Sequence, residues 1–157
     1  MTIKLTILGQ PCSKSNRRRL VTIQDRPAFI KSKEALAYER DALRQIPPAC
    51  RLMIMGPVKV TMHIFYETER PDLDPSVILD CLQARYKGKG ADRVLTQRGV
   101  YVNDRQVREL HLYHGIDKKN PRAEIEVEPL EAQLFVMDAD QPVGALHAVA
   151  EEEKEPF

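Results

Sequence analysis

No stretch of this sequence stays apolar over the ~18–20 residues that a membrane-spanning helix needs, which predicts no membrane partner. The opening residues Met1-Thr2-Ile3-Lys4 have too little apolar content for a secretory signal, so none is expected. Cysteine is scarce: Cys12, Cys50 and Cys81 are odd in number, widely spaced and form no C-x-x-C pair. That argues against a disulfide framework or a cysteine-rich zinc site, and predicts a reducing cytoplasmic location. No Gly-rich phosphate loop precedes a helix, no Gly-x-Ser-x-Gly occurs, and no internal repeat is visible. These absences leave a small globular domain without an obvious nucleophile–base pair.

The 157 residues suit one domain with one core. The formal net charge of +1 hides an asymmetry. Residues 1–60 hold 12 Lys and Arg against 4 Asp and Glu, and residues 131–157 hold 1 against 7. A basic first third points to a polyanionic partner, although a solvated surface can also cluster arginine. The acidic stretch 131–157 has no strong period and is expected to be a flexible tail behind a domain spanning 1–130.

Alternation of Ile3, Leu5 and Ile7 with polar residues predicts a first strand. Residues 12–31 are expected to form a loop holding a short hairpin. Ser32 can cap a helix to about Ile46, with Ala35, Leu36, Ala42, Leu43 and Ile46 on one face and Pro47-Pro48 ending it. Val58, Val60, Met62, Ile64 and Tyr66 mark the clearest strand. Asp74 followed by Pro75 predicts the start of a second helix, running to about Tyr86. Residues 87–103 are expected to be a long loop returning the chain to the end of that strand. A third strand, Val107 to His114, would then run antiparallel to it. Ala123, Ile125 and Val127 alternate with glutamates in a fourth strand, hairpinned to the third. The predicted fold is α+β, one domain in the order β-α-β-α-β-β with a mixed sheet.

Asp72 and Asp74 stand two apart, so on extended chain both carboxylates leave one face, roughly 7 Å apart at ~3.3 Å per residue. Such a pair can hold a hard divalent cation, which prefers oxygen ligands. Asp104, just before a predicted strand, is the best third carboxylate. The competing readings are ordinary: Asp74 is a helix cap, and Asp104 belongs to an Asn-Asp turn. His111 and His114 would leave a strand on opposite faces, which disfavours a shared zinc ion. His63 is expected to be structural.

Four segments in consistent order extend this. They are Pro11-Cys12-Ser13-Lys14-Ser15-Asn16-Arg17; Asp72-Leu73-Asp74; Ile78-Leu79-Asp80-Cys81-Leu82; and Asn103-Asp104-Arg105-Gln106-Val107. Together with Phe29 to Tyr38, they resemble the RusA family of Holliday-junction resolvases over about residues 3–128. The resemblance implies a RusA-like fold in a homodimeric enzyme of DNA recombination and repair, of phage or prophage type. It implies paired cleavage of four-way DNA junctions with Mg2+, for which Mn2+ can substitute. Asp72, Asp74 and Asp104 are then the catalytic, metal-binding residues. DNA contacts are expected from Lys14, Asn16, Arg17, Arg18, Arg19, Lys31, Lys33, Lys87 and Lys89, whereas Lys118 and Lys119 are expected to be solvated. The chain departs from the family pattern at Pro75, where the family has Asn, at Asn103, and at Ile78, where it has a helix Lys. Lys87 or Lys89 is expected to supply that missing cation. The alternatives are a branched-DNA-binding protein of the same fold that cuts poorly, and a structural protein whose Asp pair is only turn and cap.

Overall fold

A computed structural model describes residues 1–13 and 18–130. Lys14, Asn16, Arg17 and the acidic stretch 131–157 lie outside the described residues. The main sheet has four strands: β1 (Ile3–Leu8), β4 (Val58–Tyr66), β7 (Val107–Ile116) and β8 (Arg122–Pro129), in the spatial order β1-β8-β4-β7. β8 pairs antiparallel with both β1 and β4, whereas β7 pairs parallel with β4, so the sheet is mixed. Alternation decides which face is covered. Ile3, Leu5 and Ile7, the five apolar positions Val58 to Tyr66, and Ala123, Ile125 and Val127 are all buried. Each such side chain contributes ~1.5–3 kcal/mol of burial if aliphatic and large.

Two helices, α1 (Lys33–Gln45) and α2 (Ser76–Leu82), complete the core. α1 starts where expected, with Ser32 Oγ accepting from Ala35 N at 3.2 Å. Its buried stripe differs from the expected one. Ala35, Tyr38, Glu39, Ala42 and Ile46 face inward, while Leu36 is 51% exposed. The i, i+3, i+4, i+7 spacing therefore runs through Tyr38 and Glu39, and Leu36 falls outside it. α2 is shorter than expected and ends at Leu82. Val77, Ile78, Cys81 and Leu82 are buried within it.

The short hairpin expected within residues 12–31 is present, and a second ribbon lies beyond the predicted order. β2 (Arg18–Ile23) and β3 (Arg26–Lys31) are joined by Gln24 and Asp25, both at positive φ (50° and 60°). Two consecutive left-handed residues match a type I′ turn, whose twist suits paired strands. β5 (Arg85–Lys87) takes the place of the expected end of the second helix and pairs with β6 (Val94–Gln97), which lies in the segment expected to be a loop.

Two expectations are wrong: the third sheet strand does not run antiparallel to the second, and it is not hairpinned to the fourth, because β4 lies between β7 and β8. Val58 lies opposite Val107 and Tyr66 opposite Ile116. The reason lies in the bonds made just beyond α2. Val100 N donates to Leu82 O at 2.7 Å, Ala84 N to Tyr101 O at 3.0 Å, and Ile54 N to Val100 O at 2.9 Å. These bonds pin residues 99–101 between the end of α2 and the segment preceding β4. The chain therefore enters β7 at the end of the sheet where β4 begins, and the connection is a β-α-β crossover.

Candidate functional site

Asp72, Leu73 and Asp74 come after the end of β4, and a buried tyrosine holds their backbone. Tyr66, 1% exposed, donates from its hydroxyl to Asp72 O at 3.0 Å and accepts from Asp74 N at 3.2 Å. Burial pushes the Tyr66 phenol above its ordinary pKa, so the hydroxyl stays protonated and able to donate. Asp74 Oδ1 accepts from Ser76 N at 2.9 Å and from Ser76 Oγ, which ties this carboxylate to the first turn of α2. Asp74 was expected at the N-cap with Pro75 opening the helix; instead Pro75 holds the cap position, Ser76 opens α2, and Asp74 bonds it from one residue before the cap. Asp72 is exposed and lines an open cavity of about 470 Å³ together with Gln10, Ser13, Glu34 and Arg70. Glu34 is a carboxylate in this cavity that sequence reasoning did not select. It lies in the first turn of α1, where an acidic residue is also expected for the helix dipole.

Asp104 is placed by a different set of bonds. Its backbone N donates to Gln83 Oε1 at 3.2 Å, at the C-terminal end of α2. Asn103 Oδ1 accepts from Arg105 N at 2.9 Å. Gln106 Oε1 accepts from Val102 N and Asn103 N, while its amide nitrogen donates to Ile54 O and Gly56 O at 2.7 and 2.8 Å. The Asn103-Asp104-Arg105-Gln106 motif is therefore a rigid 3-10 turn that clamps the entry to β7. Asp72 and Asp74 stand at one end of α2, and the backbone of Asp104 is held at the other. α2 has seven residues, which is roughly 10 Å at ~1.5 Å per residue. Among the described residues no group of three His, Cys, Asp or Glu side chains is arranged to hold a metal ion. The pair Asp72 and Asp74 supplies the hard oxygens that Mg2+ accepts, and Mg2+ commonly binds through one or two carboxylates, waters and a substrate phosphate.

The predicted DNA contacts divide by environment. Arg19, Lys33, Lys87 and Lys89 are exposed. Lys31 is engaged: its Nζ reaches Glu39 Oε1 and Oε2 at 2.8 and 3.0 Å. Glu39 is only 4% exposed and also faces the Arg85 guanidinium at 3.8 Å. Lys87 and Lys89 flank Gly88, whose φ of +90° marks the turn region of the β5–β6 ribbon. That ribbon, Lys31, Asp80, Gln83 and Asn103 border a second cleft of about 640 Å³. Arg93 stacks over Tyr86 there, 3.9 Å from the ring centroid. Arg85 and Arg93 were not among the expected site residues, because only the fold of residues 85–97 into a ribbon brings them beside Asp80 of α2. His111 lies 3.7 Å from Glu109, whereas His114 stacks on Tyr66, so the two histidines do leave opposite faces. His63 stacks on Phe65 at 4.2 Å.

These features define a small α+β domain with an anchored Asp-x-Asp pair beside an open cavity. No model of a known protein family matches the chain, and no curated protein is significantly similar to it. No helix among the described residues is long and apolar enough to cross a membrane.

Proposed function

We propose that this chain is a Mg2+-dependent endodeoxyribonuclease that resolves four-way DNA junctions by paired phosphodiester cleavage in the cytoplasm, with Mn2+ able to substitute. The observation that carries the reading is the anchored Asp72-Leu73-Asp74 segment, because a hydrolytic metal needs carboxylates whose positions are set before the substrate arrives. A bound Mg2+ would activate a water and neutralise charge on the attacking and leaving oxygens. Asp72 and Asp74 hold the ion, Tyr66 fixes their spacing, and Ser76 orients the Asp74 carboxylate. The RusA-like reading adds Asp104 to this site, but its backbone is held at the other end of α2, farther than an aspartate side chain spans, so the proposal rests on Asp72 and Asp74. Exposed Arg19, Lys33, Lys87 and Lys89 supply phosphate contacts. A homodimer is supported by β7, a ten-residue edge strand with Leu110, Tyr113 and Ile116 exposed by 40%, 55% and 47%. A twofold dimer presents one Asp pair to each strand that is cut.

A second reading, a branched-DNA-binding protein that cuts poorly, is favoured by one observation. Ile78 is fully buried, so the position of the family's helix lysine contributes to the core and supplies no cation. A junction-cleavage assay with and without Mg2+ separates the two. The nuclease reading expects metal-dependent paired nicks, lost in Asp72→Asn while junction binding persists or tightens. Normal cleavage by Asp72→Asn sinks the assignment of this site, and metal-independent binding without nicks selects the second reading.

A further inference from the structure

We infer that the β2–β3 ribbon is an arm that takes unpaired nucleobases on its open face. The inference rests on the DNA reading above and goes beyond the phosphate contacts assigned to this segment. The register puts Leu20 opposite Phe29 and Thr22 opposite Pro27, so these four side chains share one face. The other face carries Val21, Ala28 and Ile30, which are half-buried. On the open face, Leu20 and Phe29 are 62% and 71% exposed. A cross-strand apolar pair normally stabilises a hairpin by being covered, and this pair is not.

The ribbon joins neither the main sheet nor the β5–β6 ribbon. Two strands of six residues reach roughly 20 Å at ~3.3 Å per residue. Lys31 is offset by Glu39, and the sequence leaves Arg18, Arg19 and Arg26 against the single carboxylate of Asp25. This charge suits a polyanion, and it makes two copies of the arm repel one another. The chemistry of the open face narrows the polyanion further. Reading base edges in a groove requires Arg, Asn, Gln or similar donors aimed at the bases. The two outer rungs of this face are Leu20–Phe29 and Thr22–Pro27, which offer one hydroxyl and otherwise apolar surface. Such a surface fits the flat faces of bases, and duplex DNA exposes those only where strands are unpaired. Arg19 and Arg26 are exposed on the same ribbon, where the backbone phosphates of a stacked nucleotide would pass.

The test is equilibrium binding of the full chain to two labelled probes without divalent metal. One is a duplex ending in a short single-stranded fork, and the other is a fully paired duplex of equal length. Wild type is expected to prefer the fork. Phe29→Ala is expected to bind the fork about tenfold more weakly, the loss of one base–aromatic stack, and the paired duplex equally well. Its log–log salt dependence should not change, because stacking releases no counterions. Phe29→Trp should restore fork affinity. Phe29 is exposed, so equal thermal melting of the variants is expected and excludes misfolding as the cause. Equal fork binding by Phe29→Ala and wild type overturns the inference while leaving the nuclease reading intact. So does a change in sedimentation of Phe29→Ala, which would assign the rung to a second copy of the chain. Failure of wild type to bind either probe overturns both.

Discussion

Replacing Tyr66 by Phe removes one hydroxyl and leaves the packing of a buried ring intact, so it tests whether the Asp72–Asp74 segment is held by this group. The hydroxyl makes two bonds, to Asp72 O at 3.0 Å and from Asp74 N at 3.2 Å. At a net ~0.5–1.5 kcal/mol per bond, the loss is ~1–3 kcal/mol. Asp72 is exposed, so water can reach its freed carbonyl and the lower half of that range is expected. For a domain of this size that corresponds to a fall in Tm of roughly 3–8 °C. The ring still stacks on His114, at 5.4 Å between centroids, so packing loss adds little. Thermal unfolding by circular dichroism at pH 7, without metal, measures the stability change. Mg2+-dependent junction cleavage by the same variant measures positioning, and a rate lowered about tenfold or more is expected if the carboxylates lose their preset spacing. A variant that melts within about 1 °C of wild type would refute the anchoring itself. A variant that is destabilised as expected yet cuts at the wild-type rate would show that the anchor serves only the fold.

Gly99→Ala should be far more costly than Gly90→Ala. A Cβ at residue 99 would lie 2.3 Å from Ala84 N and 2.4 Å from the carbonyl carbon of Gln83, forcing apart the strands that pin residues 99–101. A loss of ~2–4 kcal/mol in urea titration is expected, against ~1 kcal/mol at Gly90, whose Cβ meets nothing but whose φ is +57°. Equal effects at both sites would refute the close crossing. The Arg122 side chain donates to Asp117 at 2.8 Å and holds that carboxyl below its ordinary pKa. Because the folded-state pKa is the lower one, the stabilisation is present above the usual carboxylate range and disappears as pH falls through the depressed value. Asp117→Asn should therefore melt below wild type at pH 7, and the gap should close as pH falls through the depressed value and Asp117 becomes neutral. A gap that persists at the acid end would assign it to the turn geometry instead of the charge.

Local pattern made much of this fold legible. Strands β1, β4 and β8 announce themselves by alternation, because a half-buried strand needs an apolar residue at every second position, whereas β7 buries none of its side chains fully and shows no such pattern. Ser32 and Pro47 bracket α1 for equally local reasons. The first ribbon was legible only as a short hairpin somewhere in residues 12–31, and the second was not legible. Gln24-Asp25 occupies a type I′ turn that is more often Asn-Gly, and β5 and β6 are too short to show a period. The candidate site divides in the same way. The Asp72–Asp74 pair lies between an evident strand and an evident helix start. The anchoring hydroxyl belongs to Tyr66, which alternation marked only as a core residue. Glu34, Arg85 and Arg93 approach their clefts through contacts between segments distant in sequence.

The identity of β1, β4 and β8, the Ser32 cap and the spacing of Asp72 and Asp74 were thus determined by the sequence alone, since each depends on residues a few positions apart. The direction of β7 was decided only by tertiary structure. It depends on where residues 99–101 are trapped, between Leu82–Ala84 and Met53–Ile54, and on a glycine small enough to pass there. No spacing within 87–106 encodes those partners. The same trapping sets Asp104 at the far end of α2 from Asp74, because a parallel strand must be entered from the end of the sheet where its neighbour begins.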